Sequence, residues 1–298
     1  MQSADSLSAV FFYLKVGENL NQNWIVENLN NAFSTWNGKL GELWGLVTTG
    51  PQTFKDGAVW SVMQTLHNGM VGIGYALVVL FFAISLCKNT MNFHELKRPE
   101  AAIHYFLRFV AAKALVGYGM DIMLNVFSIC NGIVTDMANS MGGISEAMVS
   151  LPAEMQTAIE NVGFLASIPL WLVTILGSLF ITVLSFVMIL TVYGRFFRLY
   201  MYTALAPLPL AAFAGESTQS VGISFLKSYV GVCLEGAVIV LACIIFSAFS
   251  SSGTPVIDSS ASVVTQVWSY LGEVVFNLLV LVGLVKSADH IAKEMLGL

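Results

Sequence analysis

The chain has 298 residues, of which 56% are hydrophobic and 10% charged, with a net charge of −5. A soluble domain carries about 25% charged residues, so 31 charges over this length cannot cover a water-facing surface. Disorder is excluded as well, because it needs low hydrophobicity. A mean hydropathy of +0.77 and several long uncharged runs predict an all-α polytopic membrane protein.

The first 56 residues show no basic segment followed by an apolar core, so they do not read as a signal peptide. Apolar residues recur there at Ile25, Leu29, Phe33, Trp36, Leu40, Trp44 and Val47. Steps of three and four predict an amphipathic helix. Its stripe would rest on the outer leaflet or meet a neighbouring subunit or external partner. Residues 1–56 are accordingly assigned to an extracytoplasmic region and 57–298 to the membrane domain.

The predicted spans follow in order, each matched to the roughly 20 helical residues that a bilayer core needs. The first, 66–87, closes an uncharged run that ends at Lys88. The second, 106–134, is interrupted by Arg108, Lys113 and Asp121. The third, 169–194, opens at Pro169, with Asn161 to Ile168 as an interfacial lead-in. The fourth, 228–249, contains Glu235, and the fifth, 263–285, contains Glu273. Between the third and fourth lies 199–215, a run of 17 residues. Pro207 and Pro209 remove two backbone donors there and predict a broken, kinked or partial segment. In the loop Asp136–Glu160, a short amphipathic helix is expected near Pro152–Ile159.

The basic residues choose between five and six full spans. If 199–215 crossed completely, the 13 Lys and Arg would divide 7 to 6. If it does not, 10 fall on one side, and only Lys15, Lys39 and Lys55 fall on the other. The positive-inside rule selects the second arrangement. The expected topology has five full spans, the amino terminus outside and the carboxyl terminus in the cytoplasm, across the cell membrane. On the inner side, Lys97, Arg98, Arg108, Lys113, Arg195 and Arg198 are candidates for lipid contact or cytoplasmic docking, with snorkelling available to Arg108 and Lys113.

Catalytic signatures are missing. Cys87, Cys130, Cys233 and Cys243 form no Cys-x-x-Cys pair and read as small buried hydrophobes. His94-Glu95 lacks the second histidine of a zinc-protease motif. Gly69, Gly72 and Gly74 precede no Gly-Lys-Ser/Thr and read as close helix packing. An enzyme of a familiar kind is not expected, and the chain calls for no cofactor or metal. Bound phospholipid is the one non-protein component anticipated.

Asp121, Glu235 and Glu273 are the candidate intramembrane acids. Such residues pair with each other, fix a bundle or line a wet or ion-coupled pathway. Lys113 precedes Asp121 by eight residues, and Lys227 precedes Glu235 by eight, which is too far for a pair within one helix. Their partners must come from other helices, other subunits or water.

Three stretches carry a likeness to a known family. They are Glu95-Leu-Lys-Arg-Pro-Glu100 with Phe106 to Tyr118, Arg198 to Leu210 around Ala206-Pro-Leu-Pro209, and Ser287 to Lys293 with Gly297. Together they resemble the TrbL family of VirB-type membrane subunits, in the branch found in Gram-positive conjugative elements. The likeness covers about Thr65 to Leu298. It implies a subunit of a type IV secretion machine that forms a homo-oligomeric ring, for which a pentamer fits the family. The implied cargo is single-stranded DNA with its relaxase, or a protein. The implied partners are other secretion subunits, cytoplasmic ATPases and membrane lipid, with nucleic acid at most as the transported substrate. The residues by themselves leave two other readings open. One is a small-solute or ion transporter using Asp121, Glu235 and Glu273; the other is a lipid-binding assembly scaffold.

Overall fold

The computed structural model describes the backbone at residues 2–90, 99–140, 148–162, 164–251 and 261–298, and side chains at 24–88, 103–139, 148–162, 167–249 and 261–298. The described residues form helices joined by turns, with no strand among them. In chain order the helices are α1 (Gln2–Thr48), α2 (Ala58–Thr90), α3 (Pro99–Gly117), α4 (Gly119–Ser140), α5 (Ala153–Glu160), α6 (Phe164–Leu205), α7 (Pro207–Ala211), α8 (Gln219–Ser251) and α9 (Val263–Met295). By length and composition, α2, α6, α8 and α9 can each cross a membrane, and α3 with α4 supply a fifth candidate.

That fifth candidate corrects the sequence reading. The predicted straight span 106–134 is two helices meeting at a 72° bend. The break falls at Gly117-Tyr118-Gly119, where two glycines make room for side chains from elsewhere. A Cβ on Gly117 would lie 2.8 Å from the Tyr75 hydroxyl, and one on Gly119 would lie 3.2 Å from Leu210. Asp121 consequently stands just after the bend, in the first turn of α4, where the helix dipole favours an acid.

The third span is also longer than read. α6 begins at Phe164 and runs unbroken to Leu205, with Pro169 inside it rather than at its first position. The segment 199–215 is thus continuous with α6 at its start and broken at its prolines. Its first residues finish α6, Pro207 starts the five-residue α7, and a 3-10 turn over Ala212–Ala214 leads to Gly215. Proline suits a first helical position because the amide it lacks would have no partner there.

Contacts divide the chain into two compact units. The first comprises Met1–Trp44, Gly143–Thr191 and Ala242–Lys286. In it the chain itself covers most of the predicted stripe of α1. Ile25, Leu29, Phe33, Trp36 and Leu40 are 0–2% exposed, as is the neighbouring Leu43, while Trp44 is half-buried. Periodicity predicted the buried face, but neither the lipid surface nor a neighbour supplies its cover. Each large side chain buried in this way contributes about 1.5–3 kcal/mol. Trp24 packs on Trp171 of α6, with ring centroids 5.9 Å apart. Gly177 of α6 seats Leu271 of α9, whose Cδ1 would lie 2.9 Å from an added Cβ. The short helix anticipated near Pro152–Ile159 is α5, which buries Met155 and Ile159.

The strand-like approach to α5 is tied on two sides. The Asn37 amide donates to the Val149 carbonyl at 2.8 Å and accepts from its N–H at 2.9 Å. The Tyr270 hydroxyl donates to the Ser150 carbonyl at 2.9 Å. Asn37→Ala is expected to destabilise this segment by about 1–3 kcal/mol, because two part-buried backbone groups lose their partner. Limited proteolysis should show faster cutting near Val149, and an unchanged cutting rate would count against the tie.

The second unit comprises Gly45–Gly142, Val192–Leu241 and Ser287–Leu298. Its core joins Val116, Met123 and Phe127 to Leu199, Leu210, Tyr229 and Val232. Among the three glycines of α2, only Gly74 works as a packing site. An added Cβ would lie 2.9 Å from both the Pro207 carbonyl and Val116, whereas Gly69 and Gly72 face open space. His67, 2% exposed, sits 2.7 Å from the Thr203 carbonyl through Nδ1. A carbonyl only accepts, so Nδ1 carries the proton. The turn before α2 lies on α6. Phe54 stacks on Phe196 at 4.1 Å, and the Tyr200 hydroxyl donates to the Pro51 carbonyl at 2.8 Å. This turn runs left-handed through Lys55, Asp56 and Gly57 (φ 51°, 57° and 75°), a conformation that costs least at the glycine.

Candidate functional site

Within the second unit, α6, α8 and α9 bring a set of charges together. Arg195 and Arg198 are three residues apart on α6 and therefore share a face. α8 contributes Glu235 and the carbonyls of Val232 and Cys233, and α9 contributes Asp289 and Lys293.

Arg198 is the hub. One terminal nitrogen donates to both Glu235 oxygens, at 2.6 and 2.7 Å. The other lies 3.0 Å from Asp289 Oδ1. Asp289 in turn accepts from Lys293 at 2.9 Å, one helical turn further along α9. The Glu235 side chain is 0% exposed, while those of Arg198 and Asp289 are 29% and 28% exposed. The order is therefore graded. A fully enclosed carboxylate sits deepest, an arginine covers it, and an acid–lysine pair closes the outer side. Charge-assisted bonds of this kind are shorter and about twice as strong as neutral ones.

Arg195 is handled differently. It is fully buried, and the described structure gives it no carboxylate within ion-pair distance. Its donors instead reach backbone carbonyls: Nε to Val232 at 3.2 Å, one terminal nitrogen to Cys233 at 3.3 Å, and the other to Val47 at 3.5 Å. Its guanidinium also lies 5.8 Å from the centre of the Phe127 ring, within range of a cation–π attraction. Helical carbonyls keep a second lone pair free, which is what lets an arginine bond to them. The approach is possible because position 236 is glycine. A Cβ there would stand 2.7–2.8 Å from three guanidinium atoms.

The residues singled out in the sequence are distributed unevenly around this cluster. Of the three acids, only Glu235 is enclosed. Asp121 and Glu273 are exposed. Arg195, read as a cytoplasmic anchor, has no exposed surface with which to touch lipid or a partner, and the carbonyls of α8 account for its position. Arg198, read likewise, is engaged with Glu235 and Asp289. Arg108 donates to Gln219 at 2.5 Å, and Lys113 is exposed. Lys97 and Arg98 lie outside the described residues. Pro207 is buried and Pro209 half-buried. Sequence reasoning missed Asp289 and Lys293 as members of the cluster. Their four-residue spacing was the available signal, but the stretch was read only as a family tail.

No group of three or more His, Cys, Asp or Glu among the described residues could hold a metal ion. The cluster presents no nucleophile beside a base. What it can do chemically is hold three helices at fixed register in a medium of low polarity. The class these features define is an all-α polytopic membrane protein with an internal charge lock.

Residues 36–207 match the family model for TrbL/VirB6 plasmid conjugal transfer like protein. The match covers more than half of the chain, and the chain belongs to this family. No curated protein and no solved structure matches. The match starts inside α1, earlier than Thr65, where the motif likeness begins. It ends at Pro207, so it contains both arginines of the cluster and neither acid.

Proposed function

We propose that this chain is a structural membrane subunit of a type IV conjugation machine. It assembles with copies of itself into the membrane-embedded base through which a DNA–relaxase or protein substrate passes. The family match over residues 36–207 carries this reading. Five candidate spans give the chain the means to sit in the membrane. The distribution of basic residues supports an outside amino terminus and a cytoplasmic carboxyl terminus, which leaves the inner loops to meet the ATPases. Asp121, Glu235 and Glu273 do not favour a solute carrier: Glu235 is already closed by Arg198, and Asp121 and Glu273 are exposed on the surface of this chain.

Deleting the gene is expected to abolish conjugative transfer while relaxase nicking at the origin continues. Mating frequency and a nicking assay on the same strain measure the two. Transfer at the parental frequency would overturn the proposal.

A further inference from the structure

The first unit has two surfaces of opposite character at the same level. On α6 the outward residues are apolar: Leu172, Leu176, Leu179, Phe180 and Phe186 are 41–57% exposed. On α1 the outward residues are polar or lack a side chain: Glu27, Asn30, Asn31, Ser34, Gly38 and Gly41 are exposed. Steps of three and four place them on one face, opposite the buried stripe.

The two helices are aligned. Trp24 meets Trp171, and further along Asn28, Asn31 and Thr35 share a groove of about 440 Å³ with Ile175, Ser178 and Thr182. From Trp171 to Thr182 is about 17 Å at 1.5 Å per residue, all of it within the uncharged run 161–194. The polar face of α1 therefore stands beside the part of α6 that the bilayer should hold. Acyl chains cannot satisfy asparagine amides.

The groove itself is mixed: Asn28, Asn31, Thr35 and Thr182 stand with Trp24, Ile175 and Leu179. Its amides and hydroxyls give a water there several polar partners.

We infer that the polar face of α1 is a water-facing wall at membrane depth, with the α1–α6 groove as its hydrated seam, while the apolar face of α6 meets lipid. In a ring of copies, such a wall belongs on the side of the central passage. It is small, uncharged along most of its length and poor in grip, which suits the passage of a chain of either sign. Among the described residues Glu27 is its one exposed acid, and Lys39 and Glu42 neutralise each other at 2.6 Å. The inference rests on the proposed membrane placement of the subunit and adds which helix faces the water.

The test uses full-length protein in phosphatidylcholine–phosphatidylglycerol vesicles. Single nitroxide labels go at Ser34 or Gly38 on α1 and at Leu172 or Phe180 on α6, with the native cysteines replaced. An added side chain at Gly38 meets nothing within 4 Å, so that label fits without disturbing the fold. Labels on α1 should collide several-fold more with a water-soluble nickel chelate than with oxygen, and labels on α6 should show the reverse. Oxygen-dominated collisions at Ser34 and Gly38 would overturn the wet wall alone. Immobile α1 labels shielded from both reagents would overturn it in favour of contact between copies. Chelate-dominated collisions at Leu172 and Phe180 would instead overturn the membrane placement of α6. A second readout avoids the cysteine-free background. In the otherwise native chain, Ser34→Cys should react with a charged maleimide above the parental level, and no increase would count against the inference.

Discussion

Arg198→Ala is expected to destabilise the folded chain by about 3–5 kcal/mol, the loss typical of stranding one member of a buried ion pair. The cause is Glu235, which is 0% exposed and would be left enclosed without the arginine that covers it. The reverse change is asymmetric. Glu235→Ala leaves Arg198 part-exposed and still beside Asp289 at 3.0 Å, so the loss should be about 1–3 kcal/mol, the range for a lost charged hydrogen bond. Thermal unfolding in detergent reads both, and equal losses would mean that the graded burial of the cluster is not what sets the energy. The double variant Arg198→Met with Glu235→Leu should recover most of the stability, because well-packed apolar replacements of buried pairs are often neutral. If transfer remains low in that stable variant, the charges themselves serve the machine. If transfer returns, the pair serves only the fold.

Gly236→Ala is the second large effect. The new methyl would enter a space where three guanidinium atoms of Arg195 lie 2.7–2.8 Å away. Arg195 is buried and bonded to three carbonyls, so it cannot swing aside without abandoning them. A loss of about 1–3 kcal/mol follows from overpacking. Gly272→Ala is the control, since a Cβ there meets nothing within 4 Å and alanine is the better helix former. The cycle with Arg195→Ala decides the mechanism. Once the guanidinium is removed, Gly236→Ala should cost nearly nothing, and a persistent cost would place the clash elsewhere.

Much of this architecture can be read from spacing along the chain, and the rest fails for identifiable reasons. The stripe from Ile25 to Val47 announces a buried face because helical periodicity is local. What covers that face is not local, since the other segments of its unit, Gly143–Thr191 and Ala242–Lys286, lie far along the chain. Glu235 is conspicuous as an acid in an apolar run. Its partner Arg198 is not, because a position 37 residues earlier bears no periodic relation to it. The break at Tyr118 is harder still. Glycines in a membrane helix usually mark close packing, and only the presence of Tyr75 and Leu210 turns this pair into a 72° bend. The early end assigned to α6 has a simpler cause. Arg195 was read as the point where the membrane stops, whereas the carbonyls of Val232 and Cys233 let the helix carry a buried cation onward.

The cluster also imposes a schedule on the making of the protein. Arg195 and Arg198 emerge on α6 before either of the acids that complete the cluster has been translated. Glu235 follows Arg198 by 37 residues, about 2–7 s at 5–20 residues per second. Asp289 arrives only near the end of α9. Arg198 must therefore wait until α8 brings Glu235, and Arg195 until the same helix brings the carbonyls of Val232 and Cys233. A chain that ends before α8 leaves both charges bare in the membrane segment, whereas one that ends before α9 lacks only the outer acid, Asp289.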